Sequence, residues 1–316
     1  MAYTGNWVQN DITEITKQLT DAMDKAFEFE AKTAGMTADP RLVDATSNSK
    51  TIKLATPSVE GAGNYSVTKG WPQKKATLTW ESYTLTHDRG AAFLIDALEN
   101  SQSGGLASIA TMSAEFMRTQ MIPEIDAVRL AKVADTAVTK SQVTESETLS
   151  KSDIVTKITD ALDDLYERTG IDSGNTIYMN INLRKILNAS TEYQKVRDVV
   201  GNGTGLLTTT DSINGNPIVW VPAARMHSKV TLNEGDSDAG GFTGAGSPIN
   251  FEIVAPGHVQ GLNSYSSITM LPKGSHTEGD GDFWAYRIYY DCVIPKNKQV
   301  GVYASLSATH NEPEGP

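Results

Sequence analysis

Between Phe283 and Ile294 the chain alternates. Trp284, Tyr286, Ile288, Tyr290, Cys292 and Ile294 fall on one side, and Ala285, Arg287, Tyr289 and Asp291 fall mainly on the other. A period of two, carried by aromatic and β-branched residues, predicts a strand with one face on a core. The 12 residues of this run reach about 40 Å at about 3.3 Å each, against about five or six residues in an ordinary strand. A strand of that length belongs to an extended object rather than to a compact pocket.

Elsewhere the period lengthens. Ile12, Ile15, Leu19, Met23, Ala26 and Phe27 recur at helical spacing, with Asp11, Glu14, Asp21, Asp24 and Lys25 on other faces, so the first 45 residues read as an arm built on an amphipathic helix. Its apolar stripe needs the body or another subunit to pack on. Leu106, Ala110, Ala114, Met117, Met121, Ile125 and Val128 step by three and four, predicting a long helix from about Ser103 to Ala137. Pro123 sits inside it. The stripe keeps its phase through Ile125 and Val128, so the proline predicts a kink rather than a break.

Between these helices, Thr51–Ala55 and Lys75–Thr86 predict a two-stranded excursion with an irregular tip marked by Gly61, Gly63, Gly70 and Pro72. A polar linker from Thr139 to Thr148 marks a domain boundary. Ser150 and Asp153 resemble a capping box opening a helix through Ile154, Ile158, Leu162 and Leu165 that ends at Gly170. Short strands follow at 176–180, 217–221, 229–232, 250–254 and 267–271, with a helix starting near Leu183 and an exposed Gly/Asp/Ser loop at 235–246.

Composition narrows the function. The chain has 316 residues, 39% hydrophobic and 21% charged, which suits a folded protein of two or three domains. Its net charge of −11 argues against phosphate-backbone binding as the main activity. Cys292 is the single cysteine, so no internal disulfide forms, and its place on the apolar strand face makes it a core thiol. The start of the chain has no signal-peptide pattern, and no apolar run of about 18 residues would span a membrane.

The candidate chemistry reads as structure. None of His87, His227, His258, His276 and His310 pairs at metal-ligand spacing. His87-Asp88-Arg89 is a polar cluster at a strand-to-turn junction. Gly201–Gly205 lacks the strand and the Gly-Lys-Ser/Thr ending of a phosphate loop, and Glu278–Asp282 lacks the ligand spacing of a calcium loop. Asp160, Asp163, Asp164 and Glu167 form a solvated helix face. No catalytic residue, cofactor or metal site is expected.

Four stretches, taken in order, resemble the major capsid proteins of tailed bacteriophages: Thr84–Asp96, Met121–Ala131, Tyr178–Arg184, and Trp284–Asp291 with Lys298–Tyr303. The resemblance spans essentially the whole chain and implies an α+β, Hong Kong-type phage capsid fold. It places an N-terminal arm at 1–45, an extended loop at 46–95, a peripheral domain carrying the spine helix at 96–148 and 272–316, and an axial domain at 149–271. It implies a non-enzymatic protein of the virion, assembled in the bacterial host cytoplasm, that builds an icosahedral shell from hexamers and pentamers of itself. Scaffolding and portal proteins would be separate partners. The shell would enclose double-stranded DNA without reading its sequence. Lys69, Lys74 and Lys75 are the expected intersubunit contacts at the loop tip. Arg287 and Asp291 are expected in interface or cross-strand ion pairs. Two other readings compete: an encapsulin-like compartment housing cargo, and, from another class, a soluble enzyme or ligand-binding module using the aromatic strand as a platform.

Overall fold

The computed structural model describes residues 31–38, 43–44, 50–68, 70–96, 109–193, 211–235, 240–271, 273–275, 279 and 281–307. The predicted arm helix, the 201–205 loop and Lys69 lie outside these residues.

Three sheets organise the described chain. The first is a ribbon of β1 (Val43–Asp44), β2 (Thr51–Val59) and β3 (Ala76–Thr84). The second is a three-stranded sheet in which β12 (Gly281–Val293) lies between β11 (Gln260–Leu271) and β4 (His87–Asp96). The third has seven strands. Its path runs β5 (Val143–Glu147), β13 (Val302–Ser307), β10 (Phe242–Val254), β6 (Thr176–Asn180), β8 (Asn216–Val221), β7 (Ser212–Ile213), with β9 (His227–Leu232) paired to the other half of β10.

The long alternating strand is present as read. Trp284, Tyr286, Ile288, Tyr290, Cys292 and Ile294 are all buried. Four of them, Trp284, Tyr286, Ile288 and Tyr290, share a cluster with Met117, Met121, Ile125 and Val128, so the aromatic face of β12 packs on the long helix. The rings nest edge-on and stacked: Phe93 lies 5.2 Å from Trp284, and Phe116 meets both.

That helix comprises α1 (Ile109–Phe116), a π turn at Met117–Met121, and α2 (Ile122–Thr139). A π turn stands just before Pro123, where the sequence predicts a kink. Pro123 has no N–H to give the Thr119 carbonyl, and its ring would crowd that turn. Widening the preceding turn relieves the clash, and Ile122 N–H bonds to Met117 O instead. Beyond it, Leu130, Val133, Ala134 and Ala137 turn into a second core with Met36, Tyr178, Ile249, Val254, Cys292 and Val302. The helix α2 therefore serves two cores at once.

The helix α3 (Ile154–Thr169) packs Ile154, Ile158, Leu162 and Leu165 against the other face of the seven-stranded sheet and stops at Gly170, whose φ is 71°. At its start, Asp153 Oδ1 accepts from both Ser150 N (2.6 Å) and Ser150 Oγ (2.7 Å). A further helix, α4 (Arg184–Asn188), is a single short turn.

Two expectations are corrected. The polar segment 139–148 contains a strand, β5, pairing parallel with β13 through Ala304↔Val143 and Ser305↔Thr144. Its order comes from the backbone ladder and from Asn250 Nδ2 donating to Glu147 O at 2.9 Å, so apolar periodicity could not reveal it. The predicted 235–246 loop is partly strand: β10 starts at Phe242 and pairs with β9 through Thr243↔Thr231 and Gly244↔Val230. Glycine is needed there because the His227 ring lies against Gly244, where a Cβ would stand 2.3 Å from it.

Candidate functional site: the projecting ribbon and its root

The β2–β3 register is continuous from Thr51↔Thr84 to Val59↔Ala76. Facing pairs share a side, so the two faces of the ribbon can be read directly. One carries Ile52, Leu54, Thr56 and Ser58 with Tyr83, Glu81, Thr79 and Thr77. The other carries Ala55, Pro57 and Val59 with Trp80, Leu78 and Ala76.

Among the described residues, only the root of the ribbon is seated. Ile52 and Leu54 are 1% and 2% exposed and pack with Leu85, Leu262, Tyr289 and Val293. Past the root, the face that began against the body turns to Thr and Ser. The opposite face is apolar and stands in solvent: Val59 is 77% exposed, Leu78 58% and Trp80 48%. At the tip Tyr65, Val67 and Trp71 are also exposed, with Tyr65 and Trp71 in ring contact at 5.0 Å. Most other large exposed apolar residues among those described are scattered over the body.

The expected contact residues separate into two places. Lys74 and Lys75 lie exposed on the ribbon just before β3; Lys75 N donates to Glu60 Oε2 at 3.3 Å, and Glu60 N donates to Lys75 O at 3.1 Å. Arg287 and Asp291 lie on the outer face of β12, away from the ribbon tip. Arg287 forks onto Asp88 of β4 at 3.0 and 2.8 Å, and this guanidinium holds the Asp88 carboxyl down at about 2. Arg287 also covers the Tyr289 ring at 5.0 Å. Asp291 accepts from Thr86 N and Thr86 Oγ1 at the ribbon root.

Behind the root runs a buried polar network. Arg89 makes two 2.9 Å bonds to Glu124 on α2 and reaches Asn233 O (2.7 Å) and Gly241 O (3.0 Å) at the β9–β10 connection. Tyr290 Oη donates to the same carboxylate at 2.7 Å, and burial raises the Tyr290 phenol far above its ordinary value. Asp126, fully buried, accepts from Lys32 N, Thr33 N, Thr33 Oγ1 and Arg225 Nη1, tying residues 31–38 to α2. Glu252 differs. It lies near the C-terminal end of β10, fully buried, with no hydrogen-bond partner for either oxygen among the described residues, and desolvation raises its carboxyl well above the ordinary value of 4.5. Burial likewise pushes the Cys292 thiol up to about 12, so it stays protonated in the core.

Sequence reasoning read His87-Asp88-Arg89 as one polar cluster at a strand-to-turn junction; they instead open β4 and pair separately, His87 near Asp291, Asp88 with Arg287 and Arg89 with Glu124, and Glu124, Asp126 and Thr33 were missed. The readable signal was charge inside an apolar helix: Glu124, Asp126 and Arg129 interrupt the most buried stretch of α2.

No protein-family profile matches the chain, and no curated protein matches it in sequence. Solved structures do match. A structure from Gordonia phage Cozz aligns with a TM-score of 0.54 at 14% identity, covering 89% of this chain and 87% of the other. The capsid of cyanophage P-SCSP1u aligns with a TM-score of 0.54 at 9% identity over 87% of each chain. The mature capsid of bacteriophage PhiM1 aligns with a TM-score of 0.51 at 12% identity, covering 84% and 85%. The chain therefore has the α+β fold of phage capsid subunits, the Hong Kong-type fold expected from its sequence.

Proposed function

We propose that this chain is a major capsid protein, which assembles through hexamers and pentamers into an icosahedral shell around a phage genome. One observation carries the reading beyond fold likeness: the ribbon's outward face is apolar, and no described part of its own body covers it. A two-stranded ribbon is marginal alone in water, and a concentrated apolar surface marks a contact site. A second copy of the chain supplies the cover. Such head-to-tail contact is heterologous, and heterologous contacts close into rings.

In this reading 1–45 is the arm, 46–95 the extended loop, 96–148 with 272–316 the peripheral domain, and 149–271 the axial domain. Lys69, Lys74 and Lys75 touch a neighbour at the loop tip, and Arg287 and Asp291 lie near a subunit boundary. The role is structural, without catalysis. Scaffolding and portal proteins act as separate partners, the DNA is enclosed without sequence recognition, and assembly takes place in the host cytoplasm.

Electron microscopy of the full chain, expressed alone and with the product of a neighbouring gene as scaffold, tests this. Closed shells, tubes or rings are expected. A small monodisperse oligomer under both conditions would overturn the reading.

A further inference from the structure

The ribbon meets the body at a short joint. Leu85 N donates to Lys50 O at 2.8 Å, and its side chain lies in the root cluster. Thr86 then turns the chain from β3 into β4. Asp291, reaching from β12, holds it there: one carboxylate oxygen accepts Thr86 N at 2.9 Å and Thr86 Oγ1 at 2.8 Å, while the other accepts Cys292 N at 2.7 Å. The next residue is His87. Its Nε2 stands 3.9 Å from that second oxygen, and its ring lies 5.4 Å from the Tyr290 ring. One carboxylate thus serves two consecutive residues at the pivot of a projecting arm.

Charged groups face the imidazole from three elements: Asp291 on β12, Glu124 and Lys132 on α2, and Arg89 on β4. Burial holds His87 below its ordinary value, so the ring is neutral near pH 7 and charges on acidification.

We propose that Asp291 is the clasp fixing the direction of the ribbon, and that protonation of His87 opens it. An imidazolium needs water and a counter-charge. In its half-buried position burial, Arg89 and Lys132 oppose the charge while Asp291 and Glu124 favour it, so what the imidazolium lacks is water, and it gains water while keeping its nearest counter-charge by moving outward with the Asp291 oxygen it faces. His87 is covalently next to Thr86, so that movement shears the two bonds on Thr86. The ribbon then pivots about Leu85, whose apolar seat remains. This concerns the subunit itself and goes beyond the shell reading, which neither requires nor predicts it.

Hydrogen exchange read by mass spectrometry tests the proposal on the full chain, with its assembly state held constant across variants. Labelling times are scaled to the intrinsic exchange rate at each pH. Peptides over 51–59 and 76–88 of the wild type should lose protection about tenfold or more between pH 7.5 and pH 5, while peptides over 154–169 hold theirs. His87→Gln should remove that dependence. Asp291→Asn should lower ribbon protection at every pH, and Thr86→Val, which deletes only the hydroxyl donor, should do so by a smaller factor with the fold intact. A flat wild-type profile, or a slope retained in His87→Gln, would overturn the trigger. Wild-type protection in both Asp291→Asn and Thr86→Val would overturn the clasp.

Discussion

Glu124 and Glu252 are both buried carboxylic acids, but their surroundings differ completely. Glu124 is paired with the Arg89 guanidinium and accepts from Tyr290 Oη. Removing one member of such a pair leaves the other stranded, so Arg89→Met should cost about 3–5 kcal/mol in urea unfolding. Glu252 has no such partner among the described residues and stays protonated in the fold. The unfolded chain ionises it near the ordinary value of 4.5, so its contribution is whole below that pH and drains away as the pH rises towards the folded value. Above pH 5 the Glu252→Gln variant should gain on the wild type by up to about 1.4 kcal/mol per pH unit. Urea midpoints measured from pH 5 to 9 check this, and parallel curves for the two proteins would show that Glu252 is not the titrating group.

At the scale of elements, the fold was legible wherever one face of an element meets a core. The strand β12 showed itself through five alternating buried residues, continued by Ile294 just past its end, and the long helix through steps of three and four that survive Pro123. What escaped was held by other forces. The strand β5 has one aliphatic side chain, Val143, and gains order from pairing with a strand about 160 positions later. The first half of β10 was hidden by Gly244, which makes room for His227, and Gly246, which lies against Ser228. The Arg89–Glu124–Tyr290 network joins residues 35 and 166 positions apart, a separation that no local pattern carries. The ribbon was legible as a ribbon, but which side is apolar and uncovered required the register. Two predictions belong here. Gly244→Ala should cost about 1–3 kcal/mol in thermal or urea unfolding, because the His227 ring must yield to the new methyl group. Leu78→Ser with Trp80→Ser should leave the melting of the subunit within about 0.5 kcal/mol yet abolish assembled particles in sedimentation; normal particle yield would remove the apolar face from the interface.

For the whole molecule, assembly should respond to the ribbon tip. Reversing Lys74 and Lys75 to Glu should lower particle yield without unfolding the subunit, as read by electron microscopy alongside circular dichroism. The position of β13 adds a constraint in time. This strand, the last one described along the chain, lies inside the seven-stranded sheet between β5 and β10, so the sheet cannot close until residues 302–307 have left the ribosome. At about 5–20 residues per second, β5 waits about 8–30 s for its partner. During that interval the nascent chain has an unfinished sheet, and an unfinished sheet cannot present a complete subunit to its neighbours. In the proposed shell, translation itself would delay association until this sheet is complete, which would keep partly made chains out of a lattice where one defective tile stops growth.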